Sequence, residues 1–396
     1  MKNFTQELLN FLDNDDNYDE NYSKLIQLIN NQQMLENHHK FRVILCIVSK
    51  VTNNHHRTAL FNKKIEQLFS YLKVYIKKHM TNEEIAKIFL KNKRVLLFLI
   101  EEKILELNED IKIRMANYMT YYSNYRKYFF PEIKDILSPR EAKSTEKKIP
   151  ENFEELRKHG ENDDRLYQLI RKDMLDEFII FQNTNNIDLS SNIESSEYET
   201  IPFIMGKSIS LIECAAFFGS INIFKYLQVN NIELKTSLWL YAICGNNFEI
   251  IQILQDNKIQ PPTLKKFDHS KDVRNQFSQA DQEEEEEEEE DKKEEISYDL
   301  CLQKAVECHH NQIVYFLKEN FSENISLNFL KLVLKNYNFE FIEKDDICPD
   351  NFLLLCRYGH YIPVEALLSG NGIDINNLTI FNGLFFNDVI FIHFFE

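Results

Sequence analysis

Four side chains that could bind a metal ion fall within ten residues of one another. They are Cys301, Cys308, His309 and His310, and thiolate sulfur and imidazole nitrogen are ligands that zinc prefers. Their spacing, however, fits no common zinc-binding class. In a structural alternative the two histidines occupy a turn between helices, and each cysteine serves as a small buried apolar residue. We therefore expect no metal at these residues.

The remaining histidine pairs and the glycines form no catalytic pattern. His38-His39 and His55-His56 have no adjacent cysteine, and a solvated loop is the favoured interpretation for both. The glycines form neither a dinucleotide-binding nor a phosphate-binding motif, and the sequence contains no nucleophile elbow and no H-E-x-x-H. We therefore expect a protein that is not an enzyme, with no catalytic residues and no cofactor.

Charge is unevenly distributed along the chain. Residues Lys40 to Arg94 contain thirteen Lys and Arg against three Glu, whereas Asp281 to Glu295 contains twelve acids and two lysines. A basic stripe on helices could bind nucleic acid or another polyanion, but the solvated face of amphipathic helices has the same appearance and is the favoured interpretation. In a third interpretation, the acidic run Glu283 to Glu290 folds onto the basic helices and masks a binding surface.

Composition is that of an ordinary globular protein built from helices. Of the 396 residues, 43% are hydrophobic and 28% are charged, while only eight Gly and eight Pro occur. So few turn-forming residues argue against a large β-sandwich or barrel and predict an all-α fold.

The seven cysteines form no C-x-x-C pair, no signal segment follows Met1, and the longest uncharged apolar run is Val95 to Ile100. These features predict an intracellular, cytoplasmic protein with reduced cysteines and no membrane insertion.

Residues 1–140 are predicted to form a helical domain. Apolar residues recur at steps of three and four from Phe61 to Ile76, and Thr81 with Glu84 has the pattern of a capping box. The same periodicity places an aromatic stripe in the core, formed by Tyr118, Tyr121, Tyr122, Tyr125 and Phe129. In the helix from Phe61 to Ile76, the lysines expected to face water are Lys63, Lys64, Lys73 and Lys77.

Polar segments divide the rest of the chain. Residues 141–150 lack a hydrophobic pattern and are predicted to be a linker without secondary structure. Residues 183–199 are loop-like, and an acidic insertion at about 261–295 is predicted to be disordered, because its like charges repel and it has little apolar surface to bury.

After Pro150 one short pattern recurs, in which a small or apolar residue precedes a turn residue by four positions and a run of aliphatic residues follows. Ala215, Ala242 and Ala305 are the small residues of three copies, where a helix of the next unit must approach closely. Each copy predicts two antiparallel helices joined by a turn residue with positive φ. The six turn residues are Asp173, Gly219, Asn246, His309, Tyr337 and Gly359, and Phe381 to Phe395 is a candidate seventh unit.

These residues resemble the ankyrin-repeat family, whose pattern Leu-x-x-Ala-Ala-x-x-Gly-His-x-x-x-Val-x-x-Leu-Leu they partly reproduce. Leu211 to Leu227 and Arg357 to Asn376 match best. More narrowly, the segments Glu151 to Asp163 and Ile209 to Leu227 resemble large ankyrin-type families of uncharacterised proteins from parasitic protists. The resemblance covers residues 151–396 and implies a solenoid of stacked helical hairpins. The chain departs from the family in lacking the Thr-Pro-Leu-His opening, in replacing the turn glycine in four copies, and in a spacing between copies that runs from 22 to 63 residues.

This resemblance implies an adaptor that binds another protein through an extended repeat surface. The candidate contact residues lie at the ends of two predicted first helices and are Phe217, Phe218, Ile243 and Cys244. The same four side chains could instead belong to the core. The alternative function is the binding of nucleic acid or another polyanion through residues 40–94.

Overall fold

The computed structural model describes residues 1–31, 34–121, 123–262 and 297–369. Twenty-two α-helices and a single pair of two-residue strands lie in these ranges, which confirms the prediction of an all-α fold. None of the helices in the described ranges combines the length and the apolar character needed to cross a bilayer. The acidic insertion from residue 263 onward, including Glu283 to Glu290, and the candidate seventh unit lie outside the described residues.

Ten helices form the N-terminal region, and the apolar faces of the first nine pack into one continuous core. Helix α4 follows the spacing predicted for it, because Phe61, Ile65, Leu68, Phe69, Leu72 and Ile76 are all buried. The bounds are α1 (Lys2–Asp13), α2 (Tyr18–Asn31), α3 (His38–Asn54), α4 (Phe61–His79), α5 (Asn82–Phe89), α6 (Lys93–Glu101), α7 (Glu109–Tyr121), α8 (Ser123–Tyr128), α9 (Phe130–Ile133) and α10 (Pro139–Glu146).

Lys64 is an exception to the solvated face predicted for α4. Its side chain is fully buried, and its Nζ donates a hydrogen bond of 2.9 Å to the carbonyl oxygen of Leu12 and lies 2.6 Å from the carboxylate of Asp15. The ammonium group thereby satisfies a carbonyl at the C-terminal end of α1, where such groups lack a partner within the helix. The prediction that Lys64 faces water is wrong, whereas Lys63 and Lys77 are exposed as expected.

The predicted capping box and part of the aromatic stripe are present. The Thr81 hydroxyl accepts a hydrogen bond of 3.2 Å from the backbone N–H of Glu84, and the Glu84 carboxylate accepts one of 2.9 Å from the N–H of Thr81. Tyr125 and Phe129 are completely buried, which confirms the core interpretation for these two rings. The other three side chains of the stripe lie outside the described residues.

The predicted linker contains a helix. Helix α10 begins in a second capping box between Ser138 and Glu141, with Pro139 at its first position, and none of its residues is buried. The prediction of a segment without secondary structure is wrong here, because caps and an N-terminal proline favour a helix that leaves no hydrophobic pattern in the sequence.

Helical hairpins follow α11 (Phe153–His159), and they occur at the six predicted positions with one variation. Unit 5 has a first helix but only a 3₁₀ turn at Phe339–Phe341 in place of the second. A short ladder between β1 (Asn192–Ile193) and β2 (Ile209–Ser210) closes the loop before unit 2. The units are α12 (Arg165–Arg171) with α13 (Leu175–Thr184), α14 (Leu211–Phe218) with α15 (Ile221–Val229), α16 (Leu238–Cys244) with α17 (Phe248–Asp256), α18 (Asp299–Glu307) with α19 (Asn311–Phe321), α20 (Phe329–Asn336), and α21 (Phe352–Arg357) with α22 (Tyr361–Ser369).

All six predicted turn residues have positive φ, between 50° and 70°. This left-handed conformation is strained for a side chain such as that of Tyr337, whose φ is 55°. In each unit the N–H of the next residue donates to the carbonyl five positions before it, as Ser220 does to Ala215 at 2.9 Å, and this bond terminates the first helix. The turn prediction is therefore confirmed for glycine and non-glycine residues alike.

The first helices of successive units contact one another from α12 through α21, and the second helices α13, α15 and α17 do the same. Ala215, Ala242 and Ala305 each lie four residues before a turn residue and are fully buried. Their equivalent placement in three successive units confirms the register. A small residue is needed there because the flanking first helices pack closely on both sides.

A polar contact joins each of units 2 to 6 to the unit before it. In these units the residue after the turn residue donates a side-chain hydrogen bond to a carbonyl at the end of the preceding first helix or in the preceding turn. These contacts satisfy backbone groups that a helix end leaves without partners. They are Ser220 to Ile170 (2.5 Å), Asn247 to Gly219 (3.1 Å), His310 to Ile243 (2.7 Å), Asn338 to Val306 (3.4 Å) and His360 to Leu334 (2.8 Å).

The N-terminal helices pack against the hairpins. Helix α3 contacts α18 and α22, and Phe153, Tyr198 and Met205 belong to the N-terminal core. Lys93, fully buried, donates to the carbonyl oxygens of Glu197 at 3.0 Å and Glu199 at 3.2 Å. The N-terminal region thus contacts the chain both before unit 2 and at units 4 and 6.

Candidate functional site

Three of the four predicted partner-binding residues are in the core. Phe217, Ile243 and Cys244 are 7%, 0% and 3% exposed, and only Phe218 keeps part of its surface. Even the Phe218 ring packs against the ring of Tyr167 and under the guanidinium of Arg171. The contact surface predicted on the first helices is corrected accordingly, because neighbouring first helices cover these positions.

The second helices carry an apolar row that faces outward. Seven residues after the turn residue, four successive units have Ile180, Tyr226, Ile253 and Phe316. The Ile180 side chain is 65% exposed, and the other three are partly buried against the hairpin core. We call these four residues the outer row. Ring contacts between Phe178 and Tyr226 and between Phe248 and Phe316 connect its helices.

Acidic side chains surround the outer row. Among the exposed charged residues of the same four helices, the acidic ones outnumber the basic ones. The acidic residues are Asp176, Glu177, Glu249, Asp256 and Glu319, and the basic residues are Lys225 and Lys318. Lys225 lies 2.5 Å from the carboxylate of Glu249, and the Lys318 ammonium lies 3.8 Å from the ring centroid of Phe329. The row therefore combines apolar surface with a negative border.

Many cations of the basic segment 40–94 have structural partners. Lys64 and Lys93 are buried, and Arg57 donates to the hydroxyl and carbonyl oxygens of Thr200 at 2.9 and 3.3 Å. Ion pairs within the N-terminal region also join Arg42 to Glu84, Lys73 to Glu102 and Arg94 to Glu66. The exposed lysines of the segment are Lys63, Lys77, Lys78, Lys87 and Lys91.

The four residues first considered for metal binding do not form one site. Cys308 lies 3.9 Å from Cys244 of the preceding unit, sulfur to sulfur. The hydrogen bond to Cys244, together with burial, raises the pKa of the Cys308 thiol, and burial raises that of the Cys301 thiol. His309 is a turn residue with φ of 58°. The structural interpretation therefore fits Cys301, Cys308 and His309, but His310 has a different environment.

His310 lies against the other histidine doublet. In the described residues one group of three potential ligands stands out, formed by His55, His56 and His310, whose ligand atoms all lie within 4.8 Å of one another. His56 Nδ1 is 3.0 Å from His310 Nε2. A carboxylate oxygen of Asp13 lies 2.7 Å from His55 Nε2 and 3.4 Å from His56 Nε2. We call these four residues the histidine cluster.

Three parts of the fold position the histidine cluster. Asp13 is the last residue of α1, His55 and His56 directly follow α3, and His310 follows the turn residue of unit 4. His55 Nδ1 is 2.6 Å from the carbonyl oxygen of Cys308, as His310 Nδ1 is 2.7 Å from that of Ile243. The solvated loop predicted for His55-His56 is wrong for His55, which is 5% exposed. The solvated loop predicted for His38-His39 is also wrong, because both residues begin α3 and are only partly exposed.

Burial keeps two of these imidazoles neutral. Desolvation, together with the charge of His55, lowers the pKa of His56 to about 4 and lowers that of His310 as well. Burial alone would raise the pKa of Asp13, but its hydrogen bond with His55 and the nearby positive charges lower it. At neutral pH the cluster thus offers a carboxylate and imidazole lone pairs, which are the ligand forms that a metal ion needs.

The histidine cluster could not be located from the sequence. His56 and His310 are 254 positions apart, so their contact depends on how the N-terminal helices pack against unit 4. The outer row does leave a signal, because an apolar residue recurs seven positions after the turn residue in four aligned copies. That signal identifies a surface only when the burial of each position is known.

Comparison of the chain with protein-family models, with curated proteins and with solved structures finds no match.

Proposed function

We propose that this protein is a non-enzymatic interaction scaffold, an ankyrin-type solenoid joined to a helical N-terminal region, which binds a partner protein along the outer row. The outer row is the observation that carries the proposal. It places four partly exposed apolar side chains at one register on successive second helices. Repeat arrays suit this task because a rigid extended surface loses little conformational entropy on binding.

The turns and the contacts between units support the ankyrin-type interpretation. A left-handed turn residue occurs in all six units, and a polar side chain after it joins each unit to the preceding one. Each hairpin is too small to bury a core alone, so stacking supplies its stability. The seven cysteines are free thiols, which favours a reducing intracellular compartment.

The chemistry of the outer row favours one kind of partner. Its apolar centre would bury aliphatic or aromatic side chains, and its acidic border would attract Lys and Arg. The partner we propose is therefore a protein segment that is amphipathic and basic, such as a helix with one apolar face. Opposite charge would mainly accelerate association, while the buried apolar contacts would slow dissociation.

Binding of nucleic acid or another polyanion through residues 40–94 is the weaker alternative. Several cations of this segment neutralise carboxylates or donate to buried backbone carbonyls. Phosphate binding would require exposed cations on one surface, and its affinity would fall steeply with salt. Five exposed lysines without an accompanying recognition motif give this alternative less support.

The proposal is tested by affinity capture with the full chain and an Ile180→Lys variant. Ile180 is exposed, so the substitution leaves the fold intact while placing a cation in the surface expected to bind a basic segment. Val74→Lys is the matched control, because Val74 is a 72% exposed aliphatic residue on α4, in the N-terminal region. We expect captured proteins to be lost with Ile180→Lys and retained with Val74→Lys.

Two results would contradict the proposal. One is the same set of captured proteins with both variants, which would exclude the outer row as the contact surface. The other is capture that nuclease treatment abolishes and that declines steeply between low and physiological salt, which would favour the polyanion alternative.

A further inference from the structure

We propose that His55, His56, His310 and Asp13 form a structural Zn²⁺ site that fastens the N-terminal helices to unit 4. The four residues come from the end of α1, the end of α3 and the turn region of unit 4. A single ion bound to all four would therefore connect three separate parts of the fold. This proposal is independent of partner binding at the outer row.

The arrangement of protons shows why a cation fits this cluster. A carbonyl oxygen can only accept a hydrogen bond, so His310 Nδ1 must carry a proton to contact the carbonyl of Ile243. In neutral His310 the lone pair is then on Nε2, which lies 3.0 Å from His56 Nδ1. If neutral His56 donates from Nδ1 to this lone pair, its own Nε2 lone pair faces the Asp13 carboxylate at 3.4 Å.

The other tautomer of His56 does not remove the conflict. A proton on His56 Nε2 would satisfy Asp13, but the lone pairs of His56 Nδ1 and His310 Nε2 would then face each other. Either neutral form thus places two acceptors opposite each other, at 3.4 Å or at 3.0 Å. A positive charge at this position removes the conflict, and a metal ion supplies it while using the lone pairs as ligands.

Backbone carbonyls orient two of the histidines for metal binding. His55 and His310 each contact a carbonyl through Nδ1, that of Cys308 and that of Ile243 respectively, so that both present Nε2 to the cluster. A metal-binding histidine commonly donates its second N–H to a carbonyl or carboxylate, which fixes the ring and the tautomer. Zinc binding at His55 Nε2 would replace the contact of 2.7 Å that this nitrogen makes with Asp13.

The distances require only local adjustment to become a tetrahedral zinc site. Bonds of about 2.0–2.1 Å in tetrahedral geometry place neighbouring ligand atoms about 3.3 Å apart. A histidine binds one ion through one ring nitrogen. With Nδ1 as the ligand atom of His56, the relevant contacts are Asp13–His55 at 2.7 Å and His56–His310 at 3.0 Å, and both are slightly shorter than this value. The histidine ligand atoms farthest apart, within 4.8 Å, must move closer. Asp13 and His56 are 34% and 24% exposed in their side chains, which leaves the ion a path from solvent.

A four-ligand site of this kind is expected to be structural. Catalytic zinc sites usually have three protein ligands and an open position for water or substrate, whereas structural sites are closed by four. Three histidines and one aspartate would complete the coordination here. Zinc would then stabilise the contact between α3 and unit 4, because the ligands are close together only in the folded chain and zinc binds that state more tightly than the unfolded chain.

Zinc binding to the full chain tests the proposal. After treatment with a chelator and its removal, ZnCl₂ is titrated into wild-type protein, into His56→Gln and Asp13→Asn variants, and into a His38→Gln control. His38 is a good control because it belongs to the other histidine doublet, outside the cluster. We expect one Zn²⁺ per chain for wild type and control, and affinity lower by at least about ten-fold in both cluster variants.

Three further measurements identify the site when a substitution affects the stability of the protein as well as its zinc affinity. Free zinc at a hundred times its dissociation constant should lower the unfolding equilibrium constant of wild-type protein about 100-fold. Zinc should also slow amide hydrogen exchange at residues 55–58 and 309–311 together, and Co²⁺ should give the intense absorption bands of a tetrahedral complex. Circular dichroism establishes that each variant is folded before titration.

The proposal is overturned if the folded wild-type chain does not bind one equivalent of zinc. It is also overturned if both cluster variants bind zinc as tightly as the His38→Gln control, or if zinc slows exchange in other segments only. In the first case a proton would supply the positive charge, and the cluster would be a hydrogen-bonded contact without a metal.

Discussion

Replacing Gly245 with alanine should destabilise the hairpin stack although it adds only one methyl group. Gly245 ends α16 with φ of −74°, a conformation that alanine adopts readily, so backbone strain plays no part. The added Cβ, however, would lie 2.3 Å from the carbonyl oxygen of Ala216, 2.9 Å from that of Phe217 and 3.1 Å from the amide nitrogen of Gly219. All three atoms are backbone atoms of unit 2 and cannot rotate away.

The expected loss follows from the distance that units 2 and 3 must move apart. An ordinary carbon–oxygen contact of about 3.3 Å requires a separation of about 1 Å, which also strains the hydrogen bond from Asn247 to the carbonyl of Gly219. Overpacking of this kind costs about 1–3 kcal/mol, and the rigid backbone neighbours favour the upper part of that range. Because alanine favours helix by up to about 1 kcal/mol over glycine, we expect a net loss of about 2 kcal/mol.

Urea unfolding followed by circular dichroism measures this loss as a lower midpoint at unchanged slope. The control is Asn257→Ala at the exposed end of α17, where φ is −83° and the side chain bonds only to its own helix. This control should change the free energy of unfolding by less than about 1 kcal/mol. If Gly245→Ala unfolds at the same midpoint as the control, the close approach of the two turns is refuted.

Two other substitutions test the stack and the buried lysine. Ala242→Leu places a larger side chain at a fully buried position of α16 and should cost about 1–3 kcal/mol in urea unfolding, whereas Gln252→Leu on the exposed side of α17 should leave the midpoint unchanged. Burial lowers the pKa of Lys93 to about 7, while an unfolded lysine titrates near 10.4. Between these values the unfolded chain binds more protons, so stability from this group rises with pH. The free energy of unfolding of wild type should therefore increase relative to that of Lys93→Met by up to about 1 kcal/mol per pH unit between pH 7 and 9. A constant difference would contradict the lowered pKa of Lys93.

The sequence predicted the local structure of the hairpins well. The turn positions could be found because Asp173, Asn246, His309 and Tyr337 align with Gly219 and Gly359, and all of them have positive φ. The alanine positions followed from the same register. Local patterns succeed here because each hairpin repeats the same short-range bonds between a helix end and a turn.

Features that depend on packing between distant segments could not be predicted. Ile243 and Cys244 look like surface candidates at the end of a short helix, but the neighbouring units bury them. Lys64 has the sequence context of a solvated lysine and is buried because α1 ends beside it. The histidine cluster joins residues whose association no periodicity encodes, since it depends on the packing of α3 against unit 4.

The contact of α3 with both α18 and α22 alters how the hairpin array should come apart. A linear array unfolds most readily from its ends, because a terminal unit has a neighbour on one side only. Here unit 6 gains a second neighbour that does not belong to the repeat series. Fraying of unit 6, the last unit in the described residues, would expose part of α3 as well, so its loss is coupled to the N-terminal core. The described hairpins are therefore expected to unfold as one cooperative body and not unit by unit.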